Sequence, residues 1–145
     1  MRLIIAFGVT LSVGLALAGS ASCGPRFDYV GTWTGDRDLP VPEGGNPAVA
    51  RTLGKIELAI LANGRFEMLH EGLPKTGTVR YESDRAFLEI KSILGEAVKE
   101  MGEPVVRHNR ALELRPVDLN SIELRDPAGF YPEPVVLRRK TQPSG

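Results

Sequence analysis

The chain has 145 residues, in which 18 lysines and arginines balance 18 aspartates and glutamates. Because the sequence has no polybasic block, it argues against nucleic acid as a partner. A single cysteine allows no disulfide within the chain, so the fold depends on a packed core, which a domain of this length can bury.

The first 22 residues are predicted to be a secretory signal peptide. Arg2 precedes an uncharged apolar run over residues 3–18, and small residues at 19–22 then lead to Cys23. The run is shorter than the ~20 apolar residues that a membrane-spanning helix needs. A short positive end, an apolar stretch and a small-residue exit are typical of a signal for export.

The same stretch resembles the lipobox of bacterial lipoproteins, although Ser20 stands where that family usually has leucine. The resemblance implies a lipid on Cys23, which would attach the protein to a membrane of the cell envelope, the outer one if it is present. The alternative is cleavage after Ala18 by an ordinary signal peptidase, which would give a soluble secreted or periplasmic protein.

After a short tether at residues 23–28, the sequence predicts one β domain over residues 29–140 and a tail at 141–145. Short runs of alternating apolar and polar residues recur here, and glycine, proline, asparagine and aspartate separate them. This pattern is typical of an all-β fold in which antiparallel strands form an up-and-down meander. About eight strands are expected, at residues 29–34, 53–61, 65–70, 77–82, 86–91, 110–115, 119–125 and 134–140.

Three segments interrupt the alternation. Residues 35–50 carry three prolines and three glycines and are predicted to form a long loop, and residues 71–76 a shorter one. Within residues 92–102 apolar side chains recur every four positions, with Ser92 as a candidate cap and Gly102 as a candidate end. One short helix is therefore predicted there.

The alternation also predicts how the second and third strands pair. A two-residue turn at Asn63-Gly64 would place the apolar side chains of the two strands on opposite faces. A three-residue loop at 62–64 instead pairs Ile60 with Phe66, so that the apolar faces coincide. Gly64 then occupies the left-handed position of the turn.

Three short motifs carry a further resemblance over most of the mature chain. They are a G-x-W motif ending at Trp33, an N-G-x-F hairpin ending at Phe66, and a basic terminal strand that includes residues 138–140. In this order they resemble the small lipocalin-like lipoproteins of bacterial envelopes. The resemblance implies a β-barrel whose closed end holds Trp33 under an arginine of the last strand.

Two arginines compete for that position. Because Leu137 is assigned to the core, alternation places Arg139 on the inner face and Arg138 on the outer one, unless a bulge re-aims Arg138. Arg139 is therefore the predicted partner of Trp33. The first and last strands should then pair and remove the free edges of the sheet. The insert at 92–102 is not where lipocalins have their main helix, so a curled, partly open sheet remains the alternative to a closed barrel.

The sequence contains no recognisable catalytic or metal-binding motif. His70 and His108 have no second ligand at metal spacing, and the serines lie outside any G-x-S-x-G turn. The acidic residues Asp36 and Asp38 are interpreted as part of a solvated loop. No enzymatic activity, cofactor or metal is therefore expected from the sequence.

Two functions remain open for this predicted monomer. The first is a binding module that holds a small apolar ligand inside the barrel, with the loop at 35–50 over its mouth. The second is an interaction or structural module of the envelope, with a filled core and no ligand. The candidate ligand-lining residues are Leu58, Ile60, Phe66, Met68, Tyr81 and Leu88.

Overall fold

The computed structural model describes residues 26–141, which form a closed, eight-stranded antiparallel β-barrel. The barrel strands follow one another in chain order, and a strand of two residues, β6, adds to the edge of β5. Within this range the strands are β1 Gly31–Asp36, β2 Lys55–Ile60, β3 Arg65–His70, β4 Leu73–Tyr81, β5 Ala86–Ile93, β6 Glu96–Ala97, β7 Leu112–Asp118, β8 Ser121–Arg125 and β9 Val135–Arg139; the helices are α1 Pro47–Gly54, α2 Glu103–His108 and a 3-10 turn at Val98–Glu100.

The first and last strands pair and close the barrel, which confirms the prediction from the sequence. Trp33 lies opposite Arg139, and Thr34 lies opposite Arg138. The backbone N–H of Lys140 extends this pairing by donating to the carbonyl of Thr32 at 2.8 Å. Each of the eight barrel strands therefore has a neighbour on both sides, and closure removes the edges that invite association.

The barrel interior is filled by side chains from alternate positions of each strand. In β2 these are Ile56, Leu58 and Ile60, which are at most 2% exposed, and Phe66 of β3 is 1% exposed. Trp33 is the largest of the fully buried side chains. Burial of this apolar surface is the main source of stability for a domain without a disulfide.

The hairpin between β2 and β3 has the predicted register. Ile60 lies opposite Phe66, and Leu58 lies opposite Met68. Gly64 has φ of +78°, in the left-handed region. The loop length follows from the need to place both apolar faces toward the same core.

Replacing Gly64 with valine is expected to lower the free energy of unfolding by about 1–2 kcal/mol. Apart from Gly64 and its two chain neighbours, no atom of the described chain lies within 4 Å of the place a Cβ would take, so the penalty comes from the backbone conformation. Gly64→Asn is the control, since asparagine tolerates this conformation. Denaturant unfolding measures both variants, and equal losses for valine and asparagine would contradict the assignment.

The prediction of a loop over residues 35–50 was partly wrong, because this segment contains the start of α1. The side-chain oxygen of Asn46 accepts a hydrogen bond from the N–H of Ala48 at 2.9 Å, and Pro47 occupies the first turn. A capping asparagine followed by proline is a helix-start signal. The helix runs to Gly54, so the second strand begins two residues later than predicted.

The prediction of a loop at 71–76 was also wrong, because the chain reverses in a two-residue turn and β4 already begins at Leu73. Glu71 and Gly72 have φ of 56° and 74°, and His70 lies opposite Leu73. Two consecutive residues with positive φ are the signature of the tight primed turn of hairpins. The proline that follows Leu73 is tolerated near the start of a strand.

The helix predicted over 92–102 does not form as an α-helix, and only the 3-10 turn at Val98–Glu100 lies within that range. Instead, β5 continues to Ile93, and Leu94 and Gly95 turn the chain back with φ of 53° and 83° to form β6. Pro104 then lies in the first turn of α2, so it starts a helix rather than following one. The described residues therefore contain two α-helices in place of the single predicted one.

Candidate functional site

The two ends of the barrel differ in chemistry. The closed end carries Trp33 together with Tyr29 and Tyr81, and its interior is aromatic. At the opposite end, β3 finishes at His70 and β8 leads into Asp126, both of which are buried. We call this second end the polar end. Because α1 and α2 connect strand ends on this side, both helices lie there.

At the closed end, Arg139 covers the indole of Trp33. The guanidinium carbon lies 4.2 Å from the centroid of the indole ring. The same guanidinium donates to the carbonyls of Val30 at 2.7 Å and Asp28 at 2.6 Å, and the indole N–H donates to the carbonyl of Tyr29 at 2.9 Å. The structure thus brings together the two residues that the sequence paired, and a cation in this position contributes ~0.5–2 kcal/mol.

Aromatic rings plug the closed end below this pair. The centroids of Phe27 and Tyr29 are 4.7 Å apart, and those of Tyr29 and Tyr81 are 5.9 Å apart. Burial, with the charge of Asp84, raises the pKa of Tyr29 to about 12. Arg138 lies on the outer face and is exposed, so it takes no part in the plug.

The candidate ligand-lining residues belong to the packed core. Five of the six are at most 4% exposed, and the remaining one, Tyr81, is partly buried against the same cluster. These side chains contact one another across the barrel and occupy its interior. The five buried residues are Leu58, Ile60, Phe66, Met68 and Leu88.

Five ionisable side chains meet at the polar end, and we call them the polar cluster: His70, Glu71, Lys75, His108 and Asp126. His70, Lys75 and Asp126 are only 1–3% exposed. His70 and Asp126 continue the interior-facing positions of β3 and β8, and Lys75 faces inward from β4. His108 comes from the end of α2. Residues far apart in sequence are therefore brought together by barrel closure.

Lys75 holds one side of the polar cluster. Its ammonium lies 3.1 Å from Glu71 Oε2 and 3.2 Å from His70 Nδ1. On the other side of the same carboxylate, His108 Nε2 lies 4.0 Å from Glu71 Oε1. Single donor atoms of His70, Glu71 and Asp126 lie within 4.8 Å of one another. Such a group could hold a proton or a cation.

The environment shifts the pKa of three members of the cluster. Burial, followed by the charge of Lys75, lowers the pKa of His70 to about 4. Burial and then the neighbouring Glu71 raise the pKa of Asp126. For Glu71, burial alone would raise the pKa. The positive charge of Lys75 and the other neighbours outweigh burial, so the pKa of Glu71 is lowered. At neutral pH, His70 is therefore uncharged and Glu71 is ionised.

The low pKa of His70 predicts that the protein loses stability as the pH falls from about 6.5 to about 4. Between these values a histidine in the unfolded chain is protonated while His70 in the folded chain is not. The unfolded state then binds more protons, so the free energy of unfolding rises with pH.

In urea unfolding over this pH range, the free energy of unfolding should rise more steeply with pH for the wild type than for His70→Asn. The raised pKa of Asp126 acts in the opposite direction, but it is present in both proteins. Equal slopes in the two proteins would contradict a buried, neutral His70.

A groove of about 700 Å³ opens in the barrel wall where β5 and β7 part. The two strands pair only over three positions, ending with Leu88 opposite Leu112. Further along β5, Ser92 pairs with Ala97 of β6 instead. Residues 89–91 therefore form one side of the groove, and the segment that leads from β6 through α2 to β7 forms the other.

The groove combines an apolar floor with a basic rim. Lys91 pairs with Glu89 at 3.2 Å, whereas Lys99 and Arg110 have no ion-pair partner within 4.0 Å among residues 26–141. No pattern in the sequence indicates this groove, because it depends on where one strand leaves its neighbour. We call its apolar lining residues the floor, and these are Ile90, Ala97, Val98, Val106 and Ala111.

Comparisons with known proteins identify no family for this chain. No family model matches it, and a search of curated proteins finds no similar one. Over residues 26–141, no helix is both long and apolar enough to cross a membrane. The signal peptide predicted for residues 1–22 and the lipid expected on Cys23 lie outside the described residues.

Proposed function

We propose that the protein is an exported, lipid-anchored barrel that binds a small amphipathic anion, such as a fatty acid, in the groove between β5 and β7. The observation that carries this proposal is the combination of an apolar floor with two unpaired cations, Lys99 and Arg110, on one rim. The groove has a volume of about 700 Å³, which is typical of small-molecule sites. Such sites bury apolar surface and orient the ligand with a few polar groups.

The groove, rather than the centre of the barrel, is the proposed binding site. Trp33 and Phe66 are at most 1% exposed, and they occupy interior space that a central ligand would need. The groove floor includes Val98, which is 6% exposed and packs against the core. An apolar chain lying on that floor would cover surface that already borders the core without displacing it.

The basic rim favours an anionic head group over a neutral one. Lys91 is offset by Glu89, so the net charge of the rim comes from Lys99 and Arg110. A guanidinium beside a carboxylate can form paired charge-assisted hydrogen bonds. A fatty acid meets both requirements, since its chain is apolar and its head is a carboxylate.

The proposed anchor fits the placement of the groove. The described chain starts at Arg26, which is three positions after Cys23. From there the chain enters β1 at the closed end of the barrel. A lipid on that cysteine would hold the closed end toward the membrane. The groove lies in the half of the wall nearer the polar end, so it would be held away from the membrane surface.

The second candidate is an interaction module of the envelope that binds no ligand. The filled interior supports it, as do the large apolar side chains of Leu119 and Phe130, which are 82% and 77% exposed. The two residues lie at opposite ends of the barrel, so they do not form one continuous patch. For this reason the groove is preferred.

Binding of dodecanoate and dodecanol to the purified protein tests the proposed function. Dodecanoate should bind more tightly, and Lys99→Glu with Arg110→Glu should weaken it by about ten-fold or more, which corresponds to ~1.4 kcal/mol. Dodecanol, which has the same chain without the charge, should be little affected.

The matched control reverses two exposed charges elsewhere, Arg51→Glu and Arg65→Glu, and should leave both affinities unchanged. Filling the floor with Val98→Trp should abolish binding of both compounds. Unchanged binding in the Val98→Trp protein would exclude the groove as the site.

Intact-mass analysis of protein extracted from membranes tests the anchor. The mature chain should begin at Cys23 and carry a diacylglycerol modification, and Cys23→Ser should release the protein in soluble form. A mature chain that begins at Gly19 with an unmodified thiol would contradict the lipid anchor and leave the groove proposal standing.

A further inference from the structure

We propose that the groove between β5 and β7 takes an N-acylated amino acid, in which an amide joins the apolar chain to the carboxylate-bearing carbon. This inference rests on the proposed function, because it names the ligand class of the same site. The apolar floor fits an acyl chain, and the cations of Lys99 and Arg110 fit a carboxylate, both of which a free fatty acid also carries. The amide is indicated by the backbone of β5, whose pairing is interrupted beside the groove.

The strand β5 presents an open backbone edge to the groove. No strand pairs with Glu89 or Ile90 on that side, because the pairing with β7 ends at Leu88 and the pairing with β6 begins at Ser92. In the described part of the chain, neither residue makes a backbone hydrogen bond across the groove. Successive residues of an antiparallel strand direct their N–H and C=O groups to opposite sides, so one of the two residues presents both groups to the groove.

Ile90 is the residue that presents these groups. The carbonyl oxygen of Glu89 is the atom nearest to the place that a Cβ would take on Gly77 of β4, so the backbone of Glu89 points to β4. Ile90 therefore directs its N–H and C=O to the opposite side, where the groove lies. Its side chain is 8% exposed and packs in the core, so the polar groups that it offers are those of the main chain. Unpaired main-chain groups at a strand edge are a template for pairing.

A β-bulge at Lys91 explains why β5 loses its partner here. Gly77 and Thr76 are adjacent in β4, but they lie opposite Ile90 and Ser92, so Lys91 has no counterpart. An extra residue bends the strand and disrupts the alternation of its N–H and C=O groups. The strand therefore changes partner from β7 to β6 at this position. Bulges are common next to functional sites, where they end a pairing.

An N-acylated amino acid offers the same two groups as one residue of an added strand. Its amide N–H and its carboxylate are attached to one carbon, so in an extended conformation the N–H donates to the carbonyl of Ile90 while a carboxylate oxygen accepts from the N–H of Ile90. A free fatty acid supplies only the acceptor and leaves that carbonyl to water. The β5–β7 register, continued by two residues, places Arg110 at the level of Ile90, so this rim cation is available to the second carboxylate oxygen.

Calorimetric titration of the purified protein with three ligands, each below its micelle concentration, tests this inference. N-dodecanoylglycine should bind about five- to ten-fold more tightly than dodecanoate, because the complex contains one more hydrogen bond. The matched control is O-dodecanoylglycolate, an ester of the same length with oxygen in place of the amide N–H. The ester should lose this gain, because it cannot donate to the carbonyl of Ile90.

Carbon nuclear magnetic resonance of the labelled protein gives a second measurement, which identifies the partner of the amide. The carbonyl signal of Ile90 should shift when N-dodecanoylglycine binds and should shift less with the ester. The carbonyl signal of Leu88 is the control within the same strand, because Leu88 already pairs with Leu112 of β7. It should stay in place with both ligands.

The results separate this inference from the proposed function. Equal affinities for N-dodecanoylglycine and its ester, or an unshifted carbonyl signal of Ile90, would overturn the inference, while binding of dodecanoate would still support the groove as a site for amphipathic anions. Binding of the acylglycine alone would support the inference and exclude a free fatty acid as the ligand. If none of the three compounds binds, both proposals fail.

Discussion

Replacing Trp33 with alanine is expected to lower the free energy of unfolding by about 3–5 kcal/mol. The side chain is fully buried, so its removal leaves a cavity in addition to the lost apolar contact. The change also leaves the carbonyl of Tyr29 without its donor and Arg139 without the ring beneath it. Denaturant unfolding measures the loss.

Leu119→Ala is the control, since Leu119 is 82% exposed and a surface substitution of this kind changes stability by about 0.5 kcal/mol or less. A double-mutant cycle of Trp33→Phe with Arg139→Met isolates the contact of cation and ring, with an expected coupling of ~0.5 kcal/mol or more. A loss for Trp33→Ala no larger than that of Leu119→Ala would contradict the packing of the closed end.

Lys75→Met and Glu71→Gln are each expected to destabilise the protein by about 3–5 kcal/mol, because each leaves a partner charge buried without compensation. The ammonium is 2% exposed and the carboxylate 14%, with 3.1 Å between them. The double variant should lose less than the sum of the two single losses, since it removes both charges of the pair.

An exposed ion pair of similar length provides the matched control. Lys55 and Glu57 are 2.9 Å apart, but their side chains are 50% and 41% exposed. Lys55→Met should therefore cost only about 0–1 kcal/mol. If the two lysine variants lose the same amount of stability, the polar cluster is not buried as the structure places it.

The resemblance to lipocalin-like lipoproteins indicated that the barrel closes, with a curled, partly open sheet as the alternative, and local patterns indicated how its strands face the core. Alternation fixes which residues face the core, and this was enough to pair Ile60 with Phe66 and to choose Arg139 over Arg138. Both choices rest on the period of two along a strand. The N-terminal cap of α1 was equally visible, at Asn46 and Pro47, but the many glycines and prolines around it favoured a loop.

The groove could not be predicted, because no local pattern shows where β5 leaves β7. Leu94 adopts a positive φ that leucine rarely takes, so the turn at Leu94-Gly95 had only the glycine as its signal. The four-residue spacing of apolar side chains around it then favoured a helix. Tertiary pairing of Ser92 with Ala97 overrode that local tendency.

The polar cluster was partly visible in the sequence. His70 lies two positions after Met68, and Asp126 lies two positions after Leu124, so the same alternation places both inside the barrel. Polar residues at the ends of apolar runs are easily assigned to solvent instead. Lys75 gave no such signal, because the proline and glycines near it indicated a loop. Only the closed barrel shows that these residues meet.

Mapping of a bound fatty acid by nuclear magnetic resonance tests the central claim most directly. Titration of the labelled protein with dodecanoate should shift the amide and methyl signals of Ala97, Val98 and Val106 on the groove floor. Signals of the barrel interior, such as the methyl groups of Leu58 and Leu88, should stay in place. Shifts confined to the interior, or no shifts at all, would contradict a barrel with a filled core and a binding groove in its wall.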